Sequence, residues 1–127
     1  MTRTFLLTAA VLGFLGVALG AFGTHALAAL LAANGRADTF DTASRYHLLH
    51  AVVLIGIAWA ASQANTDPQR RLIRWSGWLL TAGTIIFAGS LYLLAILNLG
   101  WFGAIAPIGG ALLLAGWACL GVFAWRL

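Results

Sequence analysis

At 127 residues, 62% hydrophobic and only 8% charged, with a mean hydropathy of +0.96, this chain carries too little charge to clothe a soluble domain. Its net charge of +4 and pI near 10.7 would suit a nucleic-acid binder in water. The arginines are spread by topology instead, so no basic patch remains for nucleic acid. The partner these numbers imply is the lipid bilayer, and the fold class is all-α, an integral membrane four-helix bundle forming a single membrane domain over residues 1–127.

A helix needs about 20 predominantly apolar residues to cross the hydrocarbon core, and four such stretches follow one another. The first runs from about Phe5 to Gly23 without a charge. Arg3 before it and the small residues Ala18, Gly20 and Ala21 imitate a secretory signal peptide, but we read it as an uncleaved first helix. An interlude from Thr24 to Arg45 follows. Its Ala/Leu-rich part, Ala26 to Ala33, is too short to cross and predicts a short interfacial helix between the first and second spans. Asn34-Gly35 ends that helix as a left-handed C-cap. Asp38 or Thr39 can cap the second helix, with Asp41 in its first turn. The second span is placed at about 46–64, before the turn Asn65-Thr66-Asp67-Pro68. The third covers about 75–97, where Asn98-Leu99-Gly100 breaks it, and the fourth about 105–125.

In this arrangement Arg3, Arg70, Arg71, Arg74 and Arg126 lie on one side of the membrane. Arg36 and Arg45, matched by Asp38 and Asp41, lie on the other. The positive-inside rule then puts both termini in the cytoplasm. Trp59, Trp75, Trp78, Trp101, Trp117 and Trp125 mostly fall near span ends and are read as interface anchors. Cys119 stands alone within the fourth span and is read as a small core residue.

Helices already in lipid gain little from further apolar burial, so small residues that let backbones approach must supply much of their attraction. Ala9, Gly13, Gly16, Gly20 and Gly23 form one stripe on the first helix, and Gly77, Thr81, Thr84 and Ala88 form another on the third. Gly109, Gly110 and Gly116 add to the fourth. The stripes are expected to face each other in a tight bundle, with a pore lined by small residues as the alternative.

The polar focus is a set of side chains at the non-cytoplasmic ends of the spans: His25, then Arg45, Tyr46, His47 and His50, then Ser90, Tyr92 and Asn98. His47 and His50 share a helix face one turn apart. His25 and His50 are expected to approach one another. Such a cluster can serve a ligand, an ion or a proton, or it can hydrogen-bond across helices.

Gly20-Ala21-Phe22-Gly23-Thr24-His25, Tyr46-His47-Leu48-Leu49-His50-Ala51, Phe87-Ala88-Gly89-Ser90-Leu91-Tyr92, Pro107-Ile108-Gly109-Gly110 and Gly116-Trp117 occur in this order. Together they resemble the small four-span proteins grouped as domain of unknown function 423, which include bacterial inner-membrane members and the eukaryotic transmembrane protein 256. The resemblance spans nearly the whole chain. It implies a small inner-membrane protein with no established biochemical activity. The family pattern has Ala at Thr24, Gln at His47 and Ser at Ala88, whereas His25, Tyr46, His50, Ser90 and Tyr92 match it, so a metal site using His47 would be peculiar to this chain.

Three classes of function follow. The first is an accessory or assembly component of a membrane complex, or a lipid-binding one, with a membrane-protein partner or a second copy of the chain. The second is a small oligomeric transporter or channel, weakened by Asp38, Asp41 and Asp67 all being assigned to loops. The third is haem or metal binding through His25 and His50, although CxxCH and HExxH motifs are lacking and the cofactor is unknown. Enzyme chemistry is not inferred, because Ser90 beside a histidine has no span carboxylate to orient that base.

Overall fold

The computed structural model describes all 127 residues, and its regular structure is entirely helical. Helix α1 spans Thr2–Thr24, α2 Ala28–Ala33, α3 Ala37–Gln63, α4 Asp67–Leu97 and α5 Ala106–Trp125, with a 3-10 turn at Gly100–Ala104. Four of these, the last counted with its 3-10 turn, are long and apolar enough to cross a membrane. The protein is an integral membrane four-helix bundle, with the six-residue α2 between its first and second spans.

Two helices begin well before the spans read from hydropathy. The second starts at Ala37 and not near Tyr46, and the third at Asp67 and not after Arg74. Hydropathy marks where the apolar stretch begins, whereas capping marks where the helix begins. Thr66 accepts from the Gln69 backbone N–H while the Gln69 side chain accepts from the Thr66 backbone, a reciprocal capping box, and Pro68 stands in the first turn. At 31 residues, α4 is about 46 Å long against a hydrocarbon core of about 30 Å, so its Arg70, Arg71 and Arg74 end extends into the headgroups. The three aspartates are also not in loops: Asp38 and Asp41 sit in the first turns of α3 and Asp67 begins α4, where helix N-termini favour negative charge. The N-cap of α3 is Arg36, and neither Asp38 nor Thr39 caps it. Gly35, with φ of 63°, does reverse the chain after α2, and Asn98, at 53°, ends α4 in the same left-handed region.

The α3/α4 hairpin forms the centre, with α1 packed on α3 and α5 on α4. The glycines shape these seams, but their stripes do not face each other as expected. Most are seats for single side chains of a neighbouring helix. Gly16, Gly20 and Gly23 of α1 receive Leu48, Ser44 and Phe40 of α3, and Gly77 receives the ring of Phe5. Gly116 lies against Leu80, and Gly83, which no stripe included, lies against Leu113. At Gly109 a Cβ would come within 2.7 Å of the Phe87 Cα, so here two backbones touch. Gly13 faces open space and Gly110 has only the Phe87 ring at 3.9 Å.

Two apolar clusters fill the interior. One, at the end where the termini meet the α3–α4 turn, includes Phe5, Leu54, Ile57, Ile73, Leu80, Leu113 and Phe123; the other, at the opposite end, includes Leu31, Phe40, Ala88 and Tyr92. Each end also has a polar clasp. Asn34 donates from Nδ2 to the carbonyls of Ala95 at 3.0 Å and Ile96 at 3.2 Å, and Arg36 donates to Asn98 Oδ1 at 3.2 Å. At the other end Gln69 accepts from the backbone N–H groups of Asn65 and Thr66 and donates to the Arg126 carbonyl. Carbonyls and amides left over at helix ends are thereby satisfied within the bundle.

Candidate functional site

Helix α3 carries the polar residues of the site, and its register against α1 decides which of them meet. Gly16 lies opposite Leu48, Gly20 opposite Ser44 and Gly23 opposite Phe40. His25 is therefore level with the start of α3. His50 is ten residues further on than Phe40, about 15 Å along the axis at 1.5 Å per residue. The expected approach of His25 to His50 fails. His25 is exposed beside Ala18, Ala21, Phe22 and Ala26 of its own segment. The error lay in assuming that α3 starts at Tyr46; its extra turns carry His50 deeper into the bilayer.

His50 is 3% exposed and uses both ring nitrogens. Nδ1 stands 2.8 Å from the Tyr46 carbonyl, which only accepts, and the Trp117 indole N–H donates to Nε2 at 3.3 Å. Both partners impose the same tautomer, with the hydrogen on Nδ1. No lone pair of His50 is left for a metal, so the haem or metal site expected from His25 and His50 is not assembled, and no three His, Cys, Asp or Glu side chains converge.

Around this imidazole three rings from three helices assemble. Tyr46 stacks on His50 at 6.0 Å and 17°, and Tyr46 meets Phe87 at 4.6 Å. Trp117 meets His50 edge-on at 6.3 Å. They border a cleft of about 580 Å³ between α3 and α5, completed by Leu49, Pro107, Gly110, Ala111, Leu113 and Leu114. The cleft is lateral and mostly apolar.

His47 turns to the other side of α3. Its Nδ1 lies 3.2 Å from the Tyr92 hydroxyl, whose ring in turn packs edge-on against Phe40 at 4.9 Å. The remaining candidates are dispersed. Ser90 donates to the Phe87 carbonyl at 2.9 Å, and Arg45 pairs with Asp41 at 2.7 Å on the exposed surface. Asn98 takes part in the end clasp. The structure thus joins Tyr46 with His50 and His47 with Tyr92, and leaves His25, Arg45 and Ser90 outside both groups. Sequence reasoning missed Trp117 and Phe87. Trp117 was read as an interface anchor, yet it stands in the middle of α5, Ala106–Trp125, and a tryptophan that deep needs a partner for its N–H.

Fold and site together define a four-span helical membrane protein with a lateral, aromatic-walled cleft. The family described as "Protein of unknown function (DUF423)" matches residues 19–110, a stretch that includes His25, both α3 histidines and Tyr92. An inner membrane protein of Escherichia coli strain K12, YgdD of the UPF0382 group, is 39% identical over 99% of this chain and 92% of its own. UPF0382 membrane proteins of Staphylococcus haemolyticus and Staphylococcus saprophyticus are 34% and 32% identical, over 93% and 98% of this chain and 92% and 99% of theirs. The chain belongs to this DUF423/UPF0382 family of membrane proteins. No solved structure matches it.

Proposed function

We propose that this protein is a non-enzymatic component of the inner membrane that holds a lipid-like amphiphile in the α3/α5 cleft and acts in that form as an accessory or assembly subunit. One observation carries the reading: a cleft of about 580 Å³ open to the side of the bundle and walled by Tyr46, His50, Phe87 and Trp117. That volume lies within the range of about 300–1,000 Å³ typical of ligand sites, which are mostly apolar with a few polar groups. The inward-facing imidazole already has both ring nitrogens engaged, so the cleft favours an uncharged or chain-like portion of a ligand over an ion. The arginine asymmetry supports an orientation with both termini and the α3–α4 turn in the cytoplasm.

The test is native mass spectrometry of the protein released from its own membranes in mild detergent, beside a Gly110→Leu variant. Gly110 lines the cleft and a Cβ there meets only the Phe87 ring at 3.9 Å, so leucine fills the cleft without forcing the backbones apart. Wild type should retain a lipid or other small-molecule mass that the variant loses. A wild-type protein emerging bare, with neither small molecule nor partner subunit, would refute the proposal.

A further inference from the structure

A second cleft opens at the end of the bundle where the α3–α4 turn meets the end of α5. It measures about 320 Å³ and is bordered by Asp67, Pro68, Arg71, Leu72 and Trp75 of α4 and by Arg126, which follows α5. Its three charged side chains are exposed, and none forms an ion pair within the protein. Asp67 and Arg71 stand one turn apart, the spacing at which Asp41 and Arg45 of α3 pair at 2.7 Å, yet no such pair joins them. Neighbouring Arg70, by contrast, donates from Nε to the Ala64 carbonyl at 3.3 Å. The electropositive helix N-terminus accounts for an acid in this turn. It does not account for that acid standing free beside two free arginines. Arg126 is held in place from behind, because the buried Gln69 side chain donates to its carbonyl.

Asp67, Arg71 and Trp75 follow one another at intervals of four, so they share one face of α4. Their depth follows from the length of the helix. A core of about 30 Å takes about 20 residues at 1.5 Å each. Counted back from Leu97, the last residue of α4, its edge falls near Trp78. Trp75 and Trp78, 57% and 48% exposed, then stand where indoles anchor in the interface. Each step of four residues outward adds about 6 Å. Going out from the hydrocarbon, this face presents an aromatic ring, then a cation, then an anion. A phospholipid presents ester and glycerol, then phosphate, then the group that caps the phosphate. An anion at the outermost level calls for a cap that is positive and donates hydrogen bonds, which is a primary ammonium. A glycerol cap brings no charge to Asp67, and a trimethylammonium has no N–H to give.

We propose that the α4/α5 cleft binds the headgroup of a phosphatidylethanolamine from the leaflet that this end faces. Arg71 and Arg126 bracket the phosphate, Asp67 accepts from the ammonium, and Trp75 lies against the glycerol and ester region. The arginines give retention and Asp67 gives the choice of headgroup. This site shares no residue with the α3/α5 cleft, and the two readings stand or fall independently.

The test is native mass spectrometry of the full chain in detergent, titrated with an equimolar mixture of palmitoyl-oleoyl phosphatidylethanolamine, phosphatidylglycerol and phosphatidylcholine, which differ only in headgroup. Wild type should retain phosphatidylethanolamine about threefold over either of the others, the discrimination that one exposed ion pair supplies. Gly110→Leu, whose filled α3/α5 cleft cannot contribute, should show the same preference. In that background Asp67→Asn should turn the preference toward phosphatidylglycerol, whose net charge then meets two arginines unopposed. Arg71→Gln combined with Arg126→Gln should lower retention of phosphatidylethanolamine about tenfold. Phosphatidylglycerol or phosphatidylcholine bound by wild type as well as phosphatidylethanolamine, a preference that survives Asp67→Asn or vanishes in Gly110→Leu, or retention indifferent to the two arginines would each overturn the assignment.

Discussion

Gly109 and Gly13 are both helical glycines in apolar spans, yet their surroundings give them opposite weight. A methyl at Gly109 would enter the backbone of α4 at Phe87, whereas one at Gly13 would meet nothing within 4 Å. Gly109→Ala should cost about 1–3 kcal/mol as the helices part, and Gly13→Ala should be neutral or stabilising by up to about 1 kcal/mol through helix propensity. Unfolding of both variants in one detergent checks the pair. Small-residue spacing made the seats at Gly16, Gly20 and Gly23 legible, but spacing cannot tell a seat from an empty face, and it passed over Gly83 because no stripe runs through it. At the site, Trp117→Phe leaves His50 Nε2 buried and unpaired. A double-mutant cycle between Trp117 and His50 should return a coupling of about 1 kcal/mol, the size of hydrogen bonds between membrane helices. A coupling near zero would mean that the indole merely fills space.

Helix α4 shows what hydropathy conceals at the scale of an element. Four spans, their order and the Gly35 and Asn98 breaks could be read from the chain; the true starts of α3 and α4 could not, because their first turns are polar and belong to the helix without belonging to the hydrocarbon core. That displacement cost the His25 to His50 pairing, since a helix begun nine residues earlier carries His50 away from the end of α1. The same turns expose a dependence between elements. Asn34, between α2 and α3, is bonded to the last carbonyls of α4. Asn34→Ala should raise deuterium uptake in α2 and around Asn98, at a cost of about 1 kcal/mol, and leave the Thr66 capping box unchanged. Uptake that rises at both ends alike would show that the clasps do not act locally.

For the whole molecule, the charges predict the orientation in the membrane. In a Cys119→Ala background, Ala33→Cys should react with a membrane-impermeant maleimide added to intact cells. Gln63→Cys should react only after the membrane is opened. Both positions are exposed at opposite ends of the bundle, so the reverse pattern would invert the topology. The bundle is also held unequally at its two flanks. Helix α5 is tied by Ser76 to the Gly116 carbonyl, by Trp117 to His50 and by Gln69 to the Arg126 carbonyl. The hydroxyls of α1 bond only within their own helix, Thr8 to Thr4 and Thr24 to Gly20, and fit alone secures it. Short-chain detergents wet greasy surfaces and compete with fit more readily than with interior polar bonds. A harshly solubilised sample should therefore keep its full circular dichroism, because every helix survives, while α1 has drifted off and taken Leu12, Leu15 and Leu19 with it. Such a preparation would look sound and yet have lost the seam in which Gly16, Gly20 and Gly23 meet α3.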